Sequence, residues 1–451
     1  MTRFPPEPSG YLHVGHIKAS MLNYHYAKMY GGKMILRFDD TNPITEKLEF
    51  VENIQTDLKT LEIVPDKVSY SSDFFKEIQD YCRKLIQDGN AYADDTPADK
   101  MKEERDVGTE SKCRAFTVEE NLKHFEDMLA GRTTTFCIRA KLNMQNPVKC
   151  LRDPVFYRCK QEPHHRTGST YKAYPTYDLT VPIVDSLEGV THALRTVEYR
   201  DRNALYEWVQ KVLNLRTSKI YDFSKLNLVS TVLSKRKLKW FVENGHVDGW
   251  NDPRFPTVQG IMRKGMTVEA LKEFMLEQGP SRNTSLMEWD KIWANNKQII
   301  DPIAPRYTCI GKDTACKLII ENVSVATEAR SQPLHPKNPA VGSKAVIYGR
   351  ECYIERDDAQ DIQEGEKITM MKWGNVVITK KVAEGSNFTL WGNLDEADKD
   401  FKKTKKVTWI AADPATTVEI KLVEYDHLIT KAKIEETDDV EKLVNKNSRF
   451  E

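Results

Sequence analysis

Two histidines, His13 and His16, flank Gly15 at a point where the sequence predicts that a helix begins. Glycine lets a nucleotide approach the backbone closely, and the free N–H groups at the start of a helix attract phosphate. Imidazoles at positions i and i+3 can donate to the same phosphate oxygens. A turn glycine between two surface histidines is the alternative. The position between a first strand and a first helix, where parallel sheets bind ligands, favours a phosphate site.

A second group of residues suited to phosphate chemistry is the basic run at 232–238, with Ser234 and Lys235 at its centre. A mobile loop that carries clustered cations can close over a triphosphate and neutralise the charge that develops on departing pyrophosphate. The alternative is a solvated basic turn, and the run by itself does not decide between the two.

The elements that position the two histidines have the pattern of an α/β fold. A short extended segment ends at Arg3-Phe4, and a helix is predicted from about His16 to Tyr30. The apolar run 34–38 is predicted to be a buried strand, and apolar residues then recur at helical spacing. Strand–helix–strand–helix order is how a doubly wound parallel sheet begins, so we expect a Rossmann-type nucleotide fold.

The pattern changes twice further along the chain. Residues 76–175 are mixed, and they look inserted because strand-like apolar runs return at 180–184 and 192–197. Residues 200–300 carry apolar side chains at helical spacing. From about residue 306 the period becomes two, which indicates an all-β region.

Two predictions within this all-β region are specific. Residues 367–380 are predicted to form a hairpin whose two-residue turn is Gly374-Asn375. The runs 407–410 and 418–422 are predicted to be further strands.

Length and composition narrow the class of protein. A chain of 451 residues suggests about three or four domains. Neither a membrane span nor a signal peptide is indicated. The 67 basic and 67 acidic side chains cancel, so net charge gives no hint of a nucleic-acid partner. Eight cysteines without a CxxC pair indicate a reduced, cytosolic protein.

Four potential zinc ligands lie close together in the sequence: Cys150, Cys159, His164 and His165. Their spacing fits no standard pattern of zinc ligands. Two core cysteines beside a polar loop are therefore favoured, and no metal held by the protein is expected.

Together, the two phosphate motifs resemble the signatures of class I aminoacyl-tRNA synthetases. His13-Val-Gly-His16 resembles the HIGH motif, and 232–238 resembles KMSKS with departures at Val232, Leu233 and Arg236. Longer stretches resemble the glutamyl/glutaminyl branch in its eukaryotic and archaeal form, namely residues 3–16, 36–43, 164–168, 174–178 and 187–192. The resemblance covers essentially the whole chain, and the combination of motifs is highly specific.

The resemblance implies the activity of a glutamyl-tRNA synthetase. ATP, accompanied by Mg²⁺, would convert L-glutamate to glutamyl-adenylate, and the 2′-OH of the 3′-terminal adenosine of tRNA(Glu) would then accept the glutamyl group. In this branch tRNA is usually required for activation itself. His13, His16 and Lys235 would be the catalytic phosphate contacts, and Gly15 and Ser234 would join them in binding ATP.

The resemblance also implies a role for each segment. Trp373, Trp391 and Trp409 are expected to be mostly barrel core, with base stacking as the alternative. The implied domains are a class I catalytic nucleotide-binding domain at 1–75 and 176–236, an inserted acceptor-stem-binding domain at 76–175, a helical subdomain at 237–305, and a β-barrel anticodon-binding region at 306–451.

Four residues are candidates for binding glutamate. A γ-carboxylate favours a bidentate arginine, and the sequence offers Arg3 and Arg195. The resemblance implies that Arg195 marks glutamyl enzymes, because glutaminyl enzymes generally have a smaller uncharged residue there, whereas Arg3 occurs in both. It also implies that Tyr177 contacts the substrate and that Asp39 holds the α-amino group.

Each of these assignments has an alternative. Arg195 could pair with Glu198 or Asp185 at the surface, where an ion pair contributes little. Asp39 could cap the turn that follows it, and Tyr177 could belong to the core.

Three rival functions remain open. They are a glutaminyl-tRNA synthetase, a non-discriminating enzyme that charges two tRNAs, and a catalytically inactive RNA-binding paralogue, which the intact phosphate motifs oppose. Relatives of this form usually have more chain before the first strand, where only Met1 and Thr2 precede Arg3. We therefore expect that an N-terminal domain, absent here, binds partners in a multi-synthetase complex, and that the protein is cytoplasmic and binds no membrane.

Overall fold

The computed structural model describes residues 1–324, 326–435 and 437–451, and it divides into two compact units. The first unit contains residues 1–296 and 425–450, and the second contains residues 297–424 and Glu451. The sequence suggested one continuous C-terminal region from residue 306 onwards. The structure differs, because residues 425–450, here called the return segment, belong to the first unit.

A parallel sheet opens the first unit. All five residues of its second strand are buried, which explains why that strand is a continuous apolar run. The strands pair in parallel in the order β1-β2-β3, with Thr2 opposite Met34 and Ile35 opposite Lys67. The elements are β1 (Thr2–Phe4), α1 (Val14–Met29), β2 (Met34–Phe38), α2 (Leu48–Thr60) and β3 (Lys67–Tyr70).

An antiparallel sheet with helices on it follows. Its strands pair in the order β4-β5-β6-β7, and side chains such as Ile78, Phe125, Ile138 and Phe156 form its buried core. The elements are α3 (Phe75–Gln87), β4 (Ala91–Asp94), α4 (Ala98–Val107), α5 (Val118–Leu129), β5 (Cys137–Ala140), β6 (Val155–Cys159) and β7 (Ala173–Pro175).

The parallel pattern then resumes with α6 (Tyr177–Leu187), β8 (His192–Thr196), α7 (Asn203–Val212) and β9 (Lys219–Phe223). β8 and β9 are parallel, and the backbone N–H groups of Thr191 and His192 donate to the carbonyl oxygen of Met1, just before β1. The prediction of a strand at 180–184 was wrong, because these residues lie inside α6. Every one of them is buried, and the periodicity of a short, mostly apolar run does not distinguish a buried helix from a buried strand.

The rest of the first unit is mainly helical. The return segment is anchored here, since Leu428, Ile429 and Val440 share a buried core with Leu238 and Phe241. The elements are β10 (Asn227–Leu228), α8 (Lys235–Glu243), α9 (Val258–Arg263), α10 (Val268–Gln278), β11 (Leu286–Met287) and α11 (Trp289–Ile300).

The second unit is built on a seven-stranded sheet in the order β19-β16-β17-β18-β12-β15-β20. Its two edge strands are separated in the chain by Thr408 alone, so the sheet curls into a nearly closed barrel. Its elements are β12 (Ala315–Ile320), β13 (Glu328–Pro333), β14 (Ser343–Tyr348), β15 (Glu351–Glu355), α12 (Arg356–Asp361), β16 (Lys367–Met370), β17 (Gly374–Glu384), β18 (Asn387–Asp395), β19 (Lys405–Val407) and β20 (Trp409–Ala411). Two further short strands, β21 (Glu424–Tyr425) and β22 (Arg449–Phe450), pair with each other at the two ends of the return segment.

Two strand predictions in this unit need correction. The hairpin exists, but its turn is Met371–Trp373, with Lys372 at φ 64°, and Gly374 already begins the second strand opposite Met370. The run 418–422 is not a strand, although it alternates, and Val418 and Leu422 are 84% and 74% exposed. Alternation therefore predicted an extended run but not whether a neighbouring strand pairs with it.

The three tryptophans of the second unit divide as expected. Trp373 and Trp409 are buried, with ring centroids 4.7 Å apart, and belong to the barrel core. Trp391 is half-buried, and the Nζ of Lys380 lies 4.8 Å from its ring centroid. Among the helices of the described residues, none is long and apolar enough to cross a membrane.

Candidate active site

An open cavity of about 1500 Å³ in the first unit is lined by all nine residues that the sequence singled out. They come from the ends of β1, β2 and β8 and from the starts of α1, α6 and α8. The nine are Arg3, His13, Gly15, His16, Asp39, Tyr177, Arg195, Ser234 and Lys235.

The two histidines are held at the start of α1 by the backbone. His13 is the N-cap, and its Nδ1 accepts from the N–H of Gly15 at 3.2 Å. The Nδ1 of His16 accepts from the N–H of His13 at 3.1 Å, which completes a reciprocal cap. A nitrogen that accepts carries no proton, so each neutral imidazole keeps its Nε2–H as a donor. Both rings line the cavity, with centroids 3.8 Å apart.

Both imidazoles are neutral at physiological pH. Burial, together with the charge of the nearby Lys235, lowers the pKa of His13 to about 3. Burial also lowers the pKa of His16 well below its ordinary value, with His13 and Lys235 adding to the effect. The pair can therefore donate to phosphate without changing charge across the pH range of an assay.

Gly15 is needed for the packing of His13. A Cβ at position 15 would lie 3.1 Å from Cε1 and 3.2 Å from Nδ1 of that imidazole. A larger residue would require the imidazole to shift by a few tenths of an ångström, so the glycine helps to preserve the orientation of the donor.

Lys235 also lines the cavity, at the first position of α8 after Ser234. Its Nζ donates to the carbonyl oxygen of Glu7 at 3.1 Å and to Oγ of Ser9 at 3.0 Å. Burial lowers the pKa of this ammonium, although Glu7 and Glu46 oppose the shift. The lysine thus contacts the turn that follows β1, and its charge acts on both histidines.

The return segment forms hydrogen bonds with residues 230–237, here called the lysine loop. The Nζ of Lys237 donates to the carbonyl oxygens of Glu435 at 2.7 Å and Asp438 at 2.9 Å. The N–H of Ser230 donates to the carbonyl oxygen of Ala432 at 2.8 Å. The position of the loop therefore depends on a segment about 200 residues further along the chain.

Arg195 occupies the other end of the cavity and is 4% exposed. Its guanidinium carbon lies 5.8, 5.3 and 5.2 Å from the ring centroids of Tyr177, Tyr199 and Tyr206. Its Nε and Nη1 are buried and have no hydrogen-bond partner within the described part of the chain. A guanidinium surrounded by aromatic rings and lacking an anion is costly, so this site is suited to a carboxylate ligand.

The surface ion pairs considered for Arg195 do not form in the structure. Glu198 pairs with Lys225 instead. Asp185 is fully buried and pairs with Arg3 and Arg37.

Arg3 is held rigidly at the cavity wall. Its Nε donates to both carboxylate oxygens of Asp185 at 3.2 and 3.1 Å, and its Nη1 donates to the carbonyl oxygen of Leu194 at 2.9 Å. The hydroxyl of Tyr206 donates to Asp185 at 2.8 Å. Arg3 and Arg37 keep the pKa of Asp185 low although burial opposes this. Asp185 pairs with Arg3, whereas Arg195 forms no ion pair with any described residue.

Asp39 and Tyr177 complete this end of the cavity. Oδ1 of Asp39 accepts from Oγ1 of Thr41 at 3.3 Å and from Oγ of Ser71 at 3.4 Å, so its contact with the turn is long. Burial raises the pKa of Asp39 to about 6. Burial raises the pKa of Tyr177 to about 12, against the effect of Arg195. The cavity is thus lined both by a weakly held carboxylate, Asp39, and by Arg195, a cation without an ion-pair partner among the described residues.

Sequence reasoning missed the tyrosines around Arg195 other than Tyr177. Tyr199 lies in a short helical turn and Tyr206 lies in α7, so no spacing rule places them on the same cation. The only available signal was the presence of two aromatic residues within eleven positions of Arg195. Residues 433–435 of the return segment also line the cavity, and nothing in their sequence indicated it.

The four potential zinc ligands are not brought together. Cys150 donates to the carbonyl oxygen of Asp201, and Cys159 donates to that of Thr133. Another group, Asp40, His164 and His165, has ligand atoms within 4.8 Å of one another. His164 is unsuited to metal, because its Nδ1 accepts from two backbone N–H groups and its Nε2 therefore carries the proton.

Family comparisons agree with this geometry. The family model described as "tRNA synthetases class I (E and Q), catalytic domain" matches residues 1–302, and the corresponding anticodon-binding model matches residues 304–395. The chain therefore belongs to the class I tRNA synthetases of the E and Q family, with both its catalytic and its anticodon-binding domains.

Individual relatives have more specific names. The chain is 53% identical over 454 residues to the cytoplasmic glutamate–tRNA ligase of Saccharomyces cerevisiae and 50% identical to that of Arabidopsis thaliana. It is 50% identical to the bifunctional glutamate/proline–tRNA ligase of Mus musculus. All of this chain is covered, but it spans only 63%, 63% and 30% of these relatives, respectively.

Proposed function

We propose that this protein is a glutamate–tRNA ligase, which uses ATP to activate L-glutamate and transfers it to tRNA(Glu). The observation that carries the proposal is the buried Arg195, whose guanidinium lies among tyrosines with two nitrogens unpaired in the described structure. A γ-carboxylate would supply the missing charge, whereas the amide of glutamine would not. The names of the relatives, all of which include glutamate as a substrate, support the same amino acid.

The arrangement of strands is proposed to be a Rossmann-type nucleotide fold. Backbone hydrogen bonds from 191–192 to Met1 would align the pair β8–β9 beside β1, giving the order β9-β8-β1-β2-β3. The chain order then reverses between β1 and β8, and ligands of open parallel sheets bind where it reverses. His13 and His16 follow β1, and Arg195 lies in β8, so both ends of the cavity flank this point.

In the activation step, the α-carboxylate of glutamate attacks the α-phosphorus of ATP, and the bond to pyrophosphate breaks. The Nε2–H groups of His13 and His16 donate to phosphate oxygens, while Lys235 and Ser234 act on the phosphates that leave. Asp39 holds the α-ammonium, and Arg195 with Tyr177 holds the γ-carboxylate, beside Arg3. Mg²⁺ accompanies ATP as part of the substrate, with no ligand required from the protein.

In the transfer step, the 2′-OH of the terminal adenosine attacks the carbonyl carbon of glutamyl-adenylate, and AMP leaves. Neither step needs a nucleophile from the protein, so catalysis consists of orientation and charge stabilisation. The segment 76–175 would bind the acceptor end of the tRNA, and the β-rich region would read the anticodon. The helical subdomain at 237–305 would lie between these two regions in the chain. Like the relatives named cytoplasmic, the protein would act in the cytoplasm, where further domains could bind multi-synthetase partners.

The test is single-turnover formation of adenylate with ATP, tRNA(Glu) and either amino acid. Glutamate should form adenylate at least about 30-fold more efficiently than glutamine, because a buried charge pair contributes ~2–5 kcal/mol. Equal use of glutamine would favour the glutaminyl alternative, and no adenylate with either amino acid would favour the inactive paralogue.

A further inference from the structure

A second contact network lies directly behind Asp39 and involves a short loop, here called the histidine loop (residues 164–168). The loop is closed by two backbone hydrogen bonds between His164 and Gly168, at 2.9 and 2.8 Å. Gly168 has φ +58°, a conformation that favours glycine. The Nδ1 of His164 accepts from the N–H groups of Arg166 at 3.1 Å and Thr167 at 3.2 Å. These two contacts fix the tautomer, so the proton of the neutral ring is on Nε2.

That Nε2–H donates to the backbone carbonyl oxygen of Asp40 at 2.8 Å, in a fully buried position. The carboxylate of Asp40 accepts from N–H and Oγ of Ser72 at 2.8 and 2.6 Å. The residue after Asp39 is thus held at its carbonyl and at its side chain by two different segments. Asp39 itself makes only long side-chain contacts, at 3.3 and 3.4 Å. The direction of its carboxylate therefore depends on how this backbone is held.

We propose that His164 is a positioning residue for substrate recognition, and that it acts through the backbone of Asp40 to hold the Asp39 carboxylate against the α-ammonium of the amino acid. The proposal rests on the proposed function, since it takes Asp39 as the site of the amino group. It gives the histidine loop, which belongs to the segment 76–175, a role in the amino-acid site.

His165 provides a matched control beside it in the same loop. Its side chain is 7% exposed, and both ring nitrogens lack a hydrogen-bond partner among the described residues. Its Nε2 lies 4.0 Å from the Asp40 carboxylate, beyond hydrogen-bonding distance. His165→Phe removes the same polar atoms as His164→Phe from a nearly buried position in the same loop, but it breaks no contact with the backbone of Asp40.

The experiment compares both variants with His164→Gln, whose side-chain amide can still donate towards Asp40. For His164→Phe we expect KM for glutamate to rise about tenfold, with kcat within about threefold and KM for ATP unchanged, as for a small displacement of a positioning group. His165→Phe should keep the wild-type KM, and His164→Gln should recover at least half of the lost affinity. Thermal unfolding of each variant reports its folding.

A second readout isolates the amino group. Glutarate has both carboxylates of glutamate but no α-ammonium, so its inhibition constant should be the same in the wild type and in His164→Phe. A parallel loss of glutarate and glutamate binding would overturn the proposal, as would an unchanged KM for glutamate in His164→Phe. If His164→Phe does not fold, a wild-type ratio of glutamate to glutarate affinity in His164→Gln at a raised KM would overturn it.

Different results would contradict the proposed function and the positioning role of His164. A wild-type protein that forms no glutamyl-adenylate would sink the proposed function, and this proposal with it. A wild-type protein that is active, with His164 and His165 variants indistinguishable from one another, would sink the positioning role alone.

Discussion

The two ends of the cavity differ in how their functional side chains are positioned. At the phosphate end, His13 and His16 are fixed by contacts within three residues of chain, and each retains one donor. At the amino-acid end, Arg195 is surrounded by side chains from α6, α7 and the turn between β8 and α7, and it lacks a counter-ion in the described structure. The arrangement of the two histidines is local, so a short sequence motif can encode it. The surroundings of Arg195 form only when elements that are distant in the sequence pack together.

The comparison also separates rate from selection. Neutral donors at the phosphate end stabilise charge that develops in the reaction, so their loss should reduce kcat. An uncompensated cation at the amino-acid end discriminates between substrates that differ in charge, so its loss should change the ratio of kcat/KM values.

The largest effect on rate is expected from His16→Ala. The variant loses a donor to phosphate and one half of the reciprocal cap, so adenylate formation should fall by about 10–1000-fold. Pre-steady-state quench measurements would follow it, with tRNA binding measured in parallel and expected to be unchanged. His25→Ala, on the same helix but outside the cavity, is the control. Wild-type activation kinetics in the His16 variant would remove this residue from the catalytic list.

Lys235→Ala should slow activation by about 10–100-fold, because its charge is needed as pyrophosphate leaves. The effect should be smaller than that of His16→Ala, since Lys235 is already partly engaged by Glu7 and Ser9. Lys239→Ala is the control, since it removes an exposed lysine of the same helix that pairs with Glu243. Weakened tRNA binding with normal activation would instead make the lysine loop an RNA contact.

The pH dependence of kcat/KM for glutamate should report on the amino-acid end alone, because the histidines of the phosphate end do not change charge in this pH range. Burial raises the pKa of Asp39 to about 6, and only its ionised form can hold an ammonium. Below pH 6, kcat/KM for glutamate should therefore fall about tenfold per pH unit. Above pH 6, the titration of Asp39 should cause no further change in kcat/KM. The histidines stay neutral throughout, since the pKa of His13 is about 3.

Two neighbours of Asp39 could distort this profile, because burial raises the pKa of Asp40 to about 7 and that of Glu46 to about 9. Asp39→Asn distinguishes them, since this variant should lose the fall near pH 6 and keep any change that Asp40 or Glu46 causes. A fall near pH 6 that survives in Asp39→Asn would contradict the assignment.

The smallest effect on activation is expected from Lys237, which joins the lysine loop to the return segment. Lys237→Met removes both hydrogen bonds to the return segment, so the first unit should lose about 1–3 kcal/mol of unfolding free energy. Activation should fall by less than about fivefold, because Lys237 only supports the loop that carries Lys235. Denaturant unfolding and adenylate formation would be compared with Lys239→Met. Unchanged stability would mean that the contacts with Glu435 and Asp438 do not hold the loop.

Much of this arrangement could be predicted from the sequence, since the two phosphate motifs and the β1-α1-β2 order are local patterns. The strand predicted at 180–184 failed because this part of the helix is buried on all sides, and a short, mostly apolar run does not distinguish a buried helix from a buried strand. The alternation of apolar and polar residues could not predict that the return segment packs in the first unit, because its partners in α8 are about 200 residues away in the chain. Arg195 was identified by resemblance, but its missing counter-ion and its tyrosine surroundings depend on tertiary contacts.

The measurement that tests the central claim most directly is the ratio of kcat/KM for glutamate to kcat/KM for glutamine in Arg195→Cys. Removing the cation leaves the γ-carboxylate buried and under-paired, a loss of ~2–5 kcal/mol that glutamine does not share. We expect the ratio to fall by at least about 30-fold, with kcat/KM for glutamine largely retained. A ratio equal to that of the wild type would show that Arg195 does not select the substrate and would contradict the account.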